Sequence, residues 1–267
     1  MFAKKSLGQN FLKSKAALRA MIEAAKISDQ TESRNSIVLE IGPGKGALTE
    51  ALLEQNVHVV AVEKDERLIT VLQEKFKEKI TSGKLKIFHE DALLFNPSTL
   101  VSPTHTTYKI VANIPYYITG QFFKHYLTDV NQPQNIVVMV QKEVAHRIVA
   151  HDNKESLLSL SIKCYGTPRT VMTVQKKYFS PMPKVDSAII SIENISRDFF
   201  KDITEKQFFN LIKAGFAHKR KVLISNLEVI APRGTIQSIF EKLNISEKTR
   251  AENLALADWK KIAKEIF

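Results

Sequence analysis

Five short runs rich in Val and Ile recur along the first half of the chain, at 36–41 (SIVLEI), 57–62 (VHVVAV), 85–89 (LKIFH), 108–112 (YKIVA) and 135–140 (NIVVMV), with amphipathic stretches between them. Runs this short and this uniformly apolar read as strands buried on both faces, and parallel neighbours need a helical crossover between them. The stretches 47–55, 66–80 and about 120–127 supply helices. Helical patterns follow at 142–150 and 157–165, and the runs 170–176 and 187–192 read as an antiparallel pair that completes the sheet. Beyond about residue 195 the strand signal stops. The stretch 196–202 reads as a linker, and 205–216, 220–229, 235–243 and 257–266 read as amphipathic helices. The expected organisation is an α/β, doubly wound domain over 1–195 and a small all-α domain over 196–267.

The sequence has 39 Lys+Arg against 28 Asp+Glu, a formal charge of +11, which points toward a polyanionic partner. No apolar run approaches the roughly 18 residues of a membrane span, and the first residues lack the apolar stretch of a signal peptide, so the expectation is a cytoplasmic chain with no membrane partner. The lone Cys164 cannot form an intramolecular disulfide and reads as a small buried apolar residue. None of the 7 histidines has a ligand spacing. His146 and His151, five apart, do not share a helical face, and no metal is expected.

The first strand runs directly into Glu40-Ile41-Gly42-Pro43-Gly44-Lys45-Gly46, after which a helix begins. Glycines there tolerate positive φ and let a ligand approach the backbone at the carboxyl edge of a parallel sheet. No GxxxxGK[ST] string exists, which excludes a P-loop. Glu63 ends the second strand, where a carboxylate can accept hydrogen bonds from both ribose hydroxyls of an adenosine. It would serve a nicotinamide dinucleotide or S-adenosyl-L-methionine alike. The GxGxG spacing departs from the dehydrogenase GxGxxG, and a second acid, Asp91, ends strand three, where it can accept an adenine amino group or cap the short turn 92–95.

Asn113-Ile114-Pro115-Tyr116 follows the fourth strand. An Asn side-chain oxygen and a carbonyl fixed by the following proline offer two acceptors to one amino group, with a tyrosine ring beside them to stack on the base that owns it. The N6 amine of adenine needs that pair, because its lone pair is delocalised into the ring until both hydrogens are accepted. The plainer alternative is an Asx turn beside an ordinary buried tyrosine. Tyr117, next in the chain, reads as structural.

These strings together resemble the ribosomal RNA adenine N6,N6-dimethyltransferase family. Gly8-Gln9-Asn10-Phe11-Leu12 is similar to its GQNFL motif, Glu40 to Gly44 to its cofactor loop, and Asn113 to Tyr116 to its NIPY tetrapeptide. Phe179 to Ser187 (FSPMPKVDS) resembles the small-subunit branch, whose large-subunit, resistance-conferring counterparts tend to have Asn at the position of Asp186. Phe216 to Lys221 and Arg250 to Leu254 resemble two further small-subunit segments, departing at Lys219 and Ala255. The resemblance implies a Rossmann-like S-adenosyl-L-methionine-dependent methyltransferase sheet, with the helical domain assisting RNA binding. It also implies a monomer that dimethylates two adjacent adenines in a hairpin loop near the 3′ end of 16S rRNA in the small ribosomal subunit, and takes part in that subunit's biogenesis.

By the same resemblance, Gly42 and Gly44 lie under the cofactor, Glu63 takes its ribose, Asp91 its adenine, and Asn10 and Leu12 flank its methionine end. Asn113 serves both the cofactor and the target, Tyr116 stacks on the target, and Phe179 gives an edge-on second aromatic contact unless it is simply a core residue. Lys4, Lys5 and Lys13 belong to a basic segment that also holds Lys15, Arg19 and Lys26 against Glu23, and Lys219, Arg220 and Lys221 form a second cluster. Both are expected to neutralise RNA phosphates rather than merely to be solvated. Three rivals remain: a large-subunit adenine methyltransferase, a non-catalytic nucleic-acid-binding factor on the same scaffold, and a dehydrogenase.

Overall fold

A computed structural model describes residues 4, 7–27, 36–100 and 107–267. By backbone proximity the chain forms two units, 1–145 with 167–195, and 146–166 with 196–267. The sequence division at 195/196 assigned 146–166 to the first domain; the structure groups that segment with the helical unit instead.

The first unit is built on a seven-stranded sheet. Its strands are β2 (Ser36–Ile41), β3 (His58–Glu63), β4 (Leu85–His89), β5 (Thr107–Asn113), β6 (Ile136–Gln141), β7 (Thr167–Val174) and β9 (Ser187–Glu193). Their order is β4-β3-β2-β5-β6-β9-β7. Strands β2 to β6 pair in parallel, and β9 runs antiparallel to both neighbours. The parallel strands are the Val- and Ile-rich runs: no residue of β6 from Ile136 to Val140 is more than marginally accessible. Helices α2 (Ala47–Leu53), α3 (Glu66–Lys75), α4 (Lys77–Thr81) and α5 (Thr119–Leu127) form the crossovers, and α6 (Lys142–Val149) contains the unit boundary.

Strand order reverses between β2 and β5, and a sheet of this kind binds its ligand in the crevice at that switch point. Both the glycine loop after β2 and Asn113 at the end of β5 lie there.

Several elements differ from the sequence pattern. The single helix expected over 66–80 is two, because Phe76 leaves helical geometry (φ −112°, ψ 24°). A Cβ on Gly46 would meet the Phe76 ring at 2.5 Å, so the break seats that ring under the glycine turn. The basic segment near the N-terminus contains a helix, α1 (Lys15–Ala24), capped by the Ser14 side chain and burying Ala17 and Met21. Lys26 just beyond it is ion-paired with Glu193 at 3.2 Å, which removes it from the free basic surface. A two-residue ribbon, β1 (Phe11–Leu12) with β8 (Phe179–Ser180), ties the N-terminal arm to the segment before β9.

In the helical unit, α7 (Leu157–Lys163), α8 (Glu205–Gly215), α9 (Leu223–Leu227), α10 (Arg233–Lys242) and α11 (Leu256–Ile266) follow one another. The expected linker is a packed turn: Phe199 and Phe200 contact Phe208, and Phe200 also meets Tyr165 and Phe209. His146 and His151 share no helical face, because α6 ends at Val149, yet their rings meet. Ala150 takes φ +56°, which turns the chain back and brings the two rings to 4.7 Å. Cys164 is buried and unpaired by disulfide, as its composition suggested.

Candidate active site

A cavity of about 670 Å³ opens at the switch point, within the range of a nucleoside-sized cofactor site. It is lined by the N-terminal arm, the glycine loop, the ends of β3 and β5, and the turn after β4. Gly8, Gly42, Gly44 and Gly46 all have positive φ. A Cβ added at Gly42 would have nothing nearer than the Asn113 carbonyl at 3.7 Å, so that space belongs to the cavity. At Gly44 the same atom would strike the Phe11 ring at 2.9 Å, because the arm crosses the loop there.

Glu63 organises this floor. Its carboxylate accepts the Gly44 N–H at 3.1 Å with one oxygen and the Asp65 N–H at 2.9 Å with the other. Burial raises its pKa. Each oxygen keeps a further lone pair, so a diol can be accepted without disturbing the loop.

Asp91 lines the same cavity. One of its oxygens accepts from Leu93 N–H at 3.0 Å and the other from Lys64 Nζ at 2.6 Å. Asp91 therefore caps the turn, and its second oxygen, on the cavity side, is ion-paired with the exposed Lys64. The Lys64 hydrogen bond draws its pKa down.

Asn113 has a defined orientation. Its Nδ2 donates to the Asn10 carbonyl at 3.1 Å, which commits the amino side of the amide to the arm and leaves Oδ1 outside that bond. Pro115 (φ −58°, ψ 133°) caps the short turn Tyr116–Ile118 and fixes the chain that presents the Ile114 carbonyl. Tyr116 Oη is 2.7 Å from Ser187 Oγ, and burial raises its pKa.

The arm residues Asn10 and Leu12 both line the cavity. The sequence did not reveal how the arm is held. Gln9 Nε2 donates to Asp65 Oδ2 at 2.8 Å, and the Gln9 side-chain oxygen accepts Lys4 N–H at 2.7 Å. Asp65 caps α3 and is gripped by Arg67, whose hydrogen bonds hold its carboxyl far below the usual carboxylate range. The arm is thus pinned at two consecutive residues, through Gln9 to Asp65 and through Asn10 to Asn113.

Phe179 is not among the residues that line the cavity. It is 4% exposed and packs in the core with Leu12, its partner in the β1–β8 ribbon, while the next residue, Ser180, lines the wall. The ring is turned into the core, as the apolar alternative has it. Tyr117, read as structural, is instead exposed on the cavity wall. Asp186 accepts Lys176 N–H at 2.9 Å, a role an Asn oxygen would fill equally well.

Lys13 is exposed and lines the cavity, and Lys4 is exposed on the arm; Lys5 lies outside the described residues. Lys219, Arg220 and Lys221 are exposed in the turn before α9 of the helical unit. That turn is fastened by buried Asn226, whose amide donates to the carbonyls of Gly215 (2.7 Å) and His218 (3.1 Å). Among the described residues no His, Cys, Asp and Glu cluster could hold a metal ion, and no helix is long and apolar enough to cross a membrane.

Beneath the loop lies Glu40, fully buried, with neither carboxyl oxygen hydrogen-bonded. Burial, reinforced by the Glu63 charge and opposed by the nearby Thr49, pushes its pKa up to about 8. A carboxyl whose folded value is raised keeps its proton longer in the folded state, so stability falls as pH rises from the ordinary 4.5 toward 8 and levels off above. Glu40→Gln should therefore gain on the parent by about 2 to 4 kcal/mol between pH 5 and 8.5 in urea unfolding. An equal difference at both pH values would contradict a neutral Glu40.

The fold, a carboxylate-braced glycine loop and a switch-point cavity lined by Asn113 and Tyr116 mark a Rossmann-like methyltransferase. Comparison with known proteins narrows this. The family model described as ribosomal RNA adenine dimethylase matches residues 2–267. A protein of Dehalococcoides mccartyi (strain CBDB1) called ribosomal RNA small subunit methyltransferase A is 39% identical over 98% of this chain and 88% of its own. One of the same name from Fusobacterium nucleatum is 37% identical over 95% and 93%. Among solved structures, a dimethyladenosine transferase from Plasmodium falciparum superposes with a TM-score of 0.77 at 27% identity, covering 94% of this chain and 95% of that one. The 23S rRNA methyltransferase ErmE shares the fold, with a TM-score of 0.74 at 22% identity over 96% and 99%. The chain belongs to the ribosomal RNA adenine dimethylase family. Its cofactor is S-adenosyl-L-methionine, which the open space over Gly42, the spare lone pairs of Glu63 and the acid at Asp91 fit.

Proposed function

We propose that this enzyme dimethylates the N6 amines of two adjacent adenines in a hairpin loop near the 3′ end of 16S rRNA, acting as a monomer on the small ribosomal subunit during its biogenesis. The observation that carries the amine chemistry is Asn113, which lines the cavity and whose Nδ2 is taken up by the Asn10 carbonyl, which supports Oδ1 as the acceptor toward the amine. The small-subunit target is supported by the names of the relatives and by the length over which they match.

When bound, the cofactor supplies a methyl group on a cationic sulfur, open to a single in-line displacement. Glu63 and Asp91 hold the nucleoside end, and Asn10 and Leu12 enclose the methionine end. Asn113 Oδ1 and the Ile114 carbonyl accept both hydrogens of the target amine, which returns electron density to nitrogen and orients its lone pair. The displaced proton is lost to solvent after transfer, so a strong base is unnecessary and positioning dominates.

The target adenine must leave its stack, at a cost of a few kcal/mol, and the Tyr116 ring recovers about 1 to 3 kcal/mol. Ser187 fixes the Tyr116 hydroxyl and so the plane of the ring. Tyr116→Phe should lose no more than about tenfold in turnover, while Tyr116→Ala should lose about a hundredfold. A Phe variant as inactive as Ala would mean that the hydroxyl, not the ring, is what matters.

Lys4, Lys5, Lys13, Lys219, Arg220 and Lys221 are assigned to RNA phosphates. Replacing the last three with Glu should weaken subunit binding and reduce the slope of log affinity against log salt by about two to three. An unchanged slope would remove this turn from the interface.

Methyl-labelled cofactor supplied with small and large subunits from cells lacking the modification tests the proposal. Label is expected in the small subunit alone. Label confined to the large subunit would favour the resistance-type activity, and none in either would favour a non-catalytic factor.

A further inference from the structure

Tyr116 and Tyr117 are consecutive in a single 3₁₀ turn, so their side chains leave the backbone about 120° apart. Tyr116 turns inward to Ser187, whereas Tyr117 is 64% exposed on the wall of the same cavity. The ring is nonetheless held from one side. A Cβ on Gly8 would lie 3.3 Å from its Cε1 and 3.4 Å from the Pro115 Cβ, so an edge of the ring rests on bare arm backbone beside a fixed proline. Lys13 and Lys64 line the same opening. A pre-positioned, water-exposed aromatic ring on the wall of a base-sized cavity that Lys13 also lines, with Lys64 held there by Asp91, has the makeup of a stacking platform for single-stranded nucleic acid.

We propose that Tyr117 is a second base-binding residue, the platform for the unpaired nucleotide that adjoins the target adenine in the same RNA strand. This rests on reading the site as an RNA adenine methyltransferase. Once the target leaves its stack for Asn113 and Tyr116, its neighbour has lost a stacking partner too, and the ring one residue along replaces it. Stacking requires the flat face and not the hydroxyl, so Tyr117 contributes RNA affinity and register, and leaves cofactor binding and the chemical step to other residues.

The test compares the parent enzyme with Tyr117→Ala and Tyr117→Phe in three measurements: retention of unmodified small subunits on filters, cofactor affinity by calorimetry, and methyl transfer at saturating subunit. Tyr117→Ala should bind subunits about tenfold more weakly with cofactor affinity unchanged, and Tyr117→Phe should match the parent. Unchanged subunit affinity in the Ala variant would overturn the proposal. So would a loss confined to cofactor affinity, which would make the ring a cover for the cofactor, and so would an equal loss in the Phe variant. A parent enzyme that transfers no methyl group to the subunit would instead overturn the functional reading, and would be recognised without reference to either variant.

Discussion

Asn113→Ala is expected to lower turnover by two to three orders of magnitude, while cofactor affinity changes by no more than about threefold. The substitution removes the acceptor that faces the amine and also releases the arm, because the Asn113 amide is the donor to the Asn10 carbonyl. Asn113→Asp separates these effects. It keeps an acceptor toward the amine but turns a second acceptor onto the Asn10 carbonyl, so its turnover should fall between parent and Ala, with a greater loss of cofactor affinity than Ala shows. Steady-state kinetics with labelled cofactor, set beside calorimetric binding, checks both variants. Equal losses of turnover and cofactor affinity in the Ala variant would contradict the assigned role.

The second large effect concerns Glu63. Glu63→Ala removes the acceptor for the ribose hydroxyls and also leaves the Gly44 and Asp65 N–H groups unpaired beneath the loop. Hydrogen bonds to a charged acceptor contribute about 1.5 to 3 kcal/mol each, so cofactor affinity should fall about a hundredfold or more. Glu63→Gln should lose less, since its amide oxygen still accepts one bond. Because burial raises the Glu63 pKa, cofactor affinity in the parent should also weaken as pH falls into that raised range, and this dependence should vanish in the Gln variant. Titration calorimetry across pH 5 to 8 measures it. A pH-independent affinity in the parent would contradict the role of an ionised Glu63.

Much of this was legible in the sequence because the informative features are local. A strand buried on both faces must be a short apolar run, which is why β2 to β6 were found within a residue or two. Gly42, Glu63, Asp91 and Asn113 each sit where a strand ends, and their chemistry follows from residue type and that position. What escaped was set by contacts between distant segments or by a side chain's direction. Gln9 and Asp65 are 56 residues apart, and nothing in either residue's surroundings announces the bond between them. The α1 helix was hidden because its alanines and lysines read as a basic arm, although Ser14 followed by Ala17 and Met21 was a usable capping and spacing signal. Tyr117 was misread, and Phe179 left between two roles, for one reason: sequence identifies an aromatic ring but not the face it presents. The segment 146–166 carries helical patterning compatible with either unit, and only its tertiary partners, such as Glu252 for the Glu155 N–H, assign it.

The central claim is that an amine-accepting site at the end of β5 modifies two neighbouring adenines of the small-subunit RNA. Mass mapping of 16S rRNA, from unmodified small subunits incubated with the enzyme and S-adenosyl-L-methionine, tests it most directly. The expected product is two adjacent N6,N6-dimethyladenosines in one hairpin loop near the 3′ end, absent when the enzyme carries Asn113→Ala. Methylation at any other base, or the same product in equal amount from the Ala variant, would contradict it.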